Sequence, residues 1–277
     1  MREVCGWWRS SWARAAYVVG GVFFAALITS TAPTPRSQAW AVWAATAIGL
    51  AATSGAVFGY ALAQWSKIAM SGSIRGTRVA GFVGQNFAVA GVMIVGGASL
   101  PGAAASAQGY LLTLLPVLAA LPVVADFAAV RELAVMLHGT AGEQFERILS
   151  LLRVLSGLLT ALGGLVALTT LTIGAQIPLL GGPTPGLLVI FGAAGCVLVA
   201  LSYVPPANAV RESARALCAT IAPIADSDGS ELRARVDDRA GLERVLGLDR
   251  SLLADFQSGV IVLAPLLASA AVVFLPH

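Results

Sequence analysis

Lysine is nearly missing from this chain: of 277 residues only Lys67 is one, beside two histidines and three cysteines. Each scarcity closes a class of chemistry. A retinal-type Schiff base needs a lysine inside a membrane span, and Lys67 stands between two apolar runs. His138 and His277 are too few and too far apart to serve as paired metal or haem ligands. Cys5, Cys196 and Cys218 are dispersed along the chain, so they offer neither a disulfide framework nor a metal quartet. Charge is scarce too: Asp, Glu, Lys and Arg make up 11% of the residues, against 57% hydrophobic. That balance belongs to polytopic membrane proteins.

What is abundant is long charge-free sequence. Such windows run from Ala15 to Pro35, Ser37 to Ser66, Val79 to Ala125, Val154 to Val210 and Phe256 to Pro276. Each reaches the roughly 20 residues that an α-helix needs to cross about 30 Å of hydrocarbon. The third and fourth hold two crossings each, with Pro101-Gly102 and Gly181-Gly182-Pro183 as the breaks. Apolar runs without strand alternation satisfy their own backbone groups in lipid as helices, which excludes a β-barrel. The expected fold is all-α: seven spans near residues 15–31, 40–64, 79–99, 109–129, 150–173, 187–205 and 257–275. The divisions that follow are a six-helix membrane part over 1–205, a cytoplasmic helical segment over 206–256 and a last span in 257–277.

Basic residues stay on the cytoplasmic side of short loops. Here every Lys and Arg except Arg36 falls on one side of the threaded chain, which sets the N-terminus in and His277 out. The basic leader and Ser30-Thr31-Ala32 resemble a cleavable signal, but Pro33 and the length of the apolar run favour a retained anchor. Trp7, Trp8, Trp12, Trp40, Trp43 and Trp65 lie at predicted span ends, where indoles anchor at headgroups. The bias of Arg over Lys, with much Ala and Gly, is the composition of a high-GC bacterial genome and so of a bacterial plasma membrane.

A shift of 80 residues lays Leu118–Thr140 on Leu198–Thr220. The matches include Ala120/Ala200, Leu121/Leu201, Val124/Val204 and the string Ala129-Val130-Arg131-Glu132 over Ala209-Val210-Arg211-Glu212. Both copies read span, cytoplasmic loop, span, which is a parallel repeat of hairpins. Arg131, Glu132, Arg211 and Glu212 then stand at matched cytoplasmic ends, each Arg able to clamp the Glu of the other copy. The alternative is that the arginines snorkel to lipid phosphates and the glutamates are simply solvated.

The segment after span six carries Val210, Ala214, Leu217, Cys218 and Ile221 at helical spacing, suited to lying on the membrane surface. Asp226 to Ser230 reads as a turn and helix cap, and Glu231 with Arg235 as an i,i+4 pair. Asp226, Asp228, Gly229 and Arg233 come near the motif of the CDP-alcohol phosphatidyltransferases, but the carboxylate spacing is one residue short. A calcium loop fails because the alternating oxygen ligands stop after Asp228. No catalytic constellation remains, and no cofactor or nucleic-acid partner is expected. The partners expected are the lipid bilayer and a protein docking on 206–256.

Inside the spans the polar inventory is short: Gln85, Asn86, Asp126, Thr169, Thr170, Thr172, Ser202 and Tyr203. Polar groups in hydrocarbon bond across helices or face water. Pro116 and Pro122 interrupt span four and free carbonyls that could face a cavity. Gln85, Asn86, Pro116, Pro122 and Asp126 are therefore the candidates for a solute path, with interhelical bonding as their plainer role. Gly55 and Gly59, and Ser156, Thr160 and Gly164, offer small faces for close helix packing. The reading that follows is a permease or export component for a small neutral or weakly polar solute. The alternative is a non-catalytic scaffold.

Overall fold

The computed structural model describes residues 11–31, 36–71, 74–98, 107–180, 185–223 and 229–249. These form seven α-helices and, among the described residues, no strand: α1 Ser11–Ser30, α2 Gln38–Ser71, α3 Gly76–Ala98, α4 Ala107–Val135, α5 Ala141–Leu180, α6 Pro185–Ile221 and α7 Gly229–Val245. Five of them, α1, α2, α4, α5 and α6, are long and apolar enough to cross a membrane. Helix α3, centred on Gln85 and Asn86, is not among those five. The seventh expected span, 257–275, and the cap at Asp226–Asp228 lie outside the described residues.

Local sequence explains where the helices begin. Ser37 Oγ accepts from Trp40 N–H at 3.2 Å and caps α2. Between α4 and α5, Gly139 takes φ of 120°. A capping box then opens α5: Thr140 N–H donates to Glu143 Oε2 at 3.0 Å, and Glu143 N–H to Thr140 Oγ1 at 3.4 Å.

The helices outrun the apolar windows. α5 has 40 residues and α6 has 37, which at 1.5 Å per residue makes them about 60 and 55 Å long, well beyond a 30 Å hydrocarbon core. Val210 to Ile221, expected along the membrane surface, continue α6 in one piece. Pro205 and Pro206 lie inside that helix. They cost it ladder hydrogen bonds, yet Pro206 and Ala207 are buried, so packing holds the helix together there.

One apolar cluster joins Val57, Ala61 and Ile68 of α2 with Val123, Phe127 and Val130 of α4, Ile148, Leu155 and Leu158 of α5, and Val210, Ala214 and Leu217 of α6. Six pairs of positions 80 residues apart are buried in both helices, Ala119/Val199, Val123/Tyr203, Asp126/Pro206, Phe127/Ala207, Val130/Val210 and Ala134/Ala214, whereas Ala128/Asn208 and Arg131/Arg211 differ. Across that contact Phe127 meets Tyr203 edge to face at 6.2 Å, and Ser213 Oγ donates to Ala134 O at 2.7 Å.

Helix α1 lies along α2 through glycine. A Cβ on Gly55 would strike Tyr17 O, one on Gly21 would strike Ala51 O, and Gly59 faces Arg14 and Tyr17. The second small face is different: Ser156 and Thr160 are exposed, and nothing stands within 4 Å of a Cβ built on Gly164. Trp43 also departs from expectation. Rather than an interfacial anchor it is fully buried among Ala25, Ala47, Ala51 and Leu112, and its Nε1 has no hydrogen-bond partner among the described residues. Trp12, at 82% exposed, does face outward.

Candidate functional site

Between α3, α4, α5 and α6 lies a cavity of about 270 Å³. Its walls come from Asn86, Phe87 and Ala90 of α3; Gly109, Tyr110, Thr113, Pro116, Val117, Ala120 and Val124 of α4; Leu162, Val166, Thr169, Thr170, Ile173 and Gln176 of α5; and Phe191, Ala194, Gly195, Leu198 and Ser202 of α6. Among the described residues no charged side chain takes part.

Two glycines shape it. A Cβ on Gly195 would collide with Val166 Cγ1, so α6 comes close to α5 only because that position is bare. A Cβ on Gly109 would stand 2.8 Å from both amide atoms of Gln176, which leaves room for that amide beside the start of α4. Pro116 lines the same wall and, lacking an N–H, leaves the Leu112 carbonyl without its ladder donor.

At the other limit of the cavity Asn86 meets Ser202. Asn86 is buried; its Nδ2 donates to Phe82 O at 2.9 Å, and its Oδ1 lies 2.9 Å from Ser202 Oγ. The Ser202 hydroxyl stands equally near Leu198 O, at 2.9 Å. Asn86 therefore bonds across helices and lines a cavity at once. Beyond this pair the space between α4, α5 and α6 is filled by the apolar cluster, and charged residues follow. There Arg78 Nη1 of α3 binds Glu132 of α4 at 3.1 and 3.3 Å.

The candidates named from sequence separate. Asn86 and Pro116 share the cavity. Gln85, next to Asn86, is exposed on the outer face of α3. Pro122 and Asp126 do not line the cavity. Asp126 is 0% exposed and shares its face of α4 with Ala119, Val123 and Val130; neither carboxylate oxygen has a hydrogen-bond partner among the described residues. Of the clamp residues, Glu132 pairs with Arg78, a partner that the repeat did not suggest. Arg211 is buried, while Arg131 and Glu212 are exposed.

Thr169, Thr170 and Ser202 of the polar inventory reach the cavity. Thr172 turns instead to α2, with its hydroxyl 2.8 Å from Leu168 O and 3.3 Å from Thr46 O. Thr113 and Gln176 were missed. The first stands one helical turn past Gly109, and the second lies beyond residue 173, where the fifth span was ended although its charge-free window ran on.

A second space of about 260 Å³ lies between α1, α2 and α4. Ser54 borders it, its buried hydroxyl without a partner among the described residues. No family model, curated protein or solved structure matches the chain.

Proposed function

We propose that the protein is a multi-pass protein of a bacterial plasma membrane that moves a neutral, weakly polar solute, and that the cavity between α3 and α6 is where the solute binds. The observation that carries this reading is a chamber of about 270 Å³, walled by apolar side chains with a few polar groups and, among the described residues, no charge. It falls just below the usual range of small-molecule sites, about 300–1,000 Å³. In the orientation expected from the basic residues, the cavity lies toward the outer ends of α4, α5 and α6, and the apolar cluster with the Arg78–Glu132 pair lies toward the inside. Seven spans, a parallel hairpin repeat and a cytoplasmic clamp by Arg131, Glu132, Arg211 and Glu212 complete the proposal.

Reconstitution tests it. The protein purified alone into liposomes is expected to support counterflow of a neutral solute from a panel of small alcohols and amides. Absence of flux for the whole panel, with a stoichiometric protein partner retained on purification, would favour the scaffold reading. That second reading has one observation in its favour: α7 exposes Leu232, Val236 and Val245 on an otherwise charged helix.

A further inference from the structure

The space between α1, α2 and α4 opens to the lipid side. Ala16, Gly20 and Phe24 stand one turn apart along its α1 wall and are exposed, and Leu118 of α4 is exposed at its other edge. Nothing lies within 4 Å of a Cβ built on Gly20, so bare helix surface faces the opening. Among the described residues no charged side chain lines this groove.

Its buried polar side chain is Ser54, 3% exposed. Thr29 and Thr46, on the same two helices, donate to carbonyls of their own ladders, Ala25 O at 3.0 Å and Trp43 O at 2.9 Å. Ser54 Oγ makes no such bond and has no other partner among the described residues. Its proton is left for an occupant. Tyr17 is the wall's other polar residue, and its ring meets Phe58 edge to face at 5.1 Å. With Phe24 these two give the groove an aromatic lining.

Depth selects among what the membrane holds. The charge-free window of α2 runs from Ser37 to Ser66, and at 1.5 Å per residue Ser54 lies about 4 Å from its middle. With that window centred in the bilayer, the edge of the hydrocarbon, where phospholipid esters and headgroups stand, is about 15 Å from the midplane. Acyl chains therefore bring no acceptor to Ser54, whereas a neutral ring dissolved in the core can. Aromatic side chains stack on such a ring, and a donor at this depth matches a ring carbonyl.

We infer that the groove is a second ligand site, which takes a quinone-type molecule from the membrane: a neutral, planar ring that packs against Tyr17, Phe24 and Phe58 and accepts from Ser54 through a carbonyl. This site is independent of the solute cavity between α3 and α6.

The full-length protein in phosphatidylcholine nanodiscs, irradiated with an azide-bearing trimethylbenzoquinone, tests this. Adducts are expected on α1 and α2, displaced by tetramethylbenzoquinone but not by tetramethylbenzene, the same ring without carbonyls. Ser54→Ala should raise the probe concentration that half-saturates labelling about fivefold, the worth of one neutral hydrogen bond. Gly20→Phe, which fills the groove from α1, should abolish labelling, and Ala16→Phe should do so if the first variant fails to elute as the native protein does. Absence of adducts on α1 and α2, displacement by tetramethylbenzene as well as by the quinone, or labelling that Ser54→Ala and the filled variants leave unchanged would overturn the inference. So would groove adducts from a diazirine-bearing phosphatidylcholine that tetramethylbenzoquinone does not displace, because an acyl chain would then hold the site.

Discussion

Two buried polar residues, Asn86 and Asp126, have opposite surroundings and so opposite expectations. Asn86 is satisfied on both sides of its amide. Asn86→Leu removes one interhelical contact, which in membrane proteins averages about 0.6 kcal/mol; the protein should therefore still insert and elute normally while solute flux is lost. Loss of folding would show that Asn86 serves packing alone. Asp126 has neither solvent nor, among the described residues, a hydrogen-bond partner. An unsatisfied buried polar group costs about 1–3 kcal/mol, so Asp126→Val, with a side chain only slightly larger, should raise the unfolding temperature in detergent. A lower temperature would mean that the carboxyl is held by a favourable interaction. Sequence could name both residues as rare intramembrane polar groups, but it could not say that they face different sides of the bundle. Gln85 shows the limit best: adjacent positions on a helix point about 100° apart, and only packing shows which one faces in.

Helix positions were legible because hydrocarbon demands long apolar runs, and helix ends were less so. Charge marks where the bilayer stops, whereas α5 and α6 continue past it, held by Ile148 and Leu151 in one and Val210 and Ala214 in the other. Pro205 and Pro206 lie within α6, and the burial of Pro206 and Ala207 holds the helix through them. Small residues were legible at Gly55 and Gly59 but not at Gly164, because a small face does not say whether a neighbour occupies it. Gly55→Leu would force a side chain into Tyr17 O. Overpacking of this kind costs about 1–3 kcal/mol, and the variant should lose thermal stability by that measure. Gly20→Ala has open space and should not. The proposed clamp is tested by a double-mutant cycle in which Arg131→Glu impairs activity and added Glu212→Arg restores it. Additive effects would show that the two residues do not interact, in keeping with the small worth of exposed pairs, about 0–1 kcal/mol.

At the scale of the whole molecule the account depends on which side of the membrane the cavity lies toward. The same chain direction that places Arg78, Glu132 and Arg147 at one end of the bundle places Gly109, Gln176 and the start of α6 at the other. If the basic end is cytoplasmic, as the retention of Lys and Arg in short inner loops requires, the cavity lies toward the outer side and the close-packed cluster toward the inner side. Paired cytoplasmic and external reporters fused at Ser73, Ala104, Ser227 and His277 measure this directly. The account predicts cytoplasmic signals at Ser73 and Ser227 and external signals at Ala104 and His277. A cytoplasmic signal at His277 alone would remove the last crossing, whereas a cytoplasmic signal at Ala104 would contradict the orientation and with it a solute site toward the outer side.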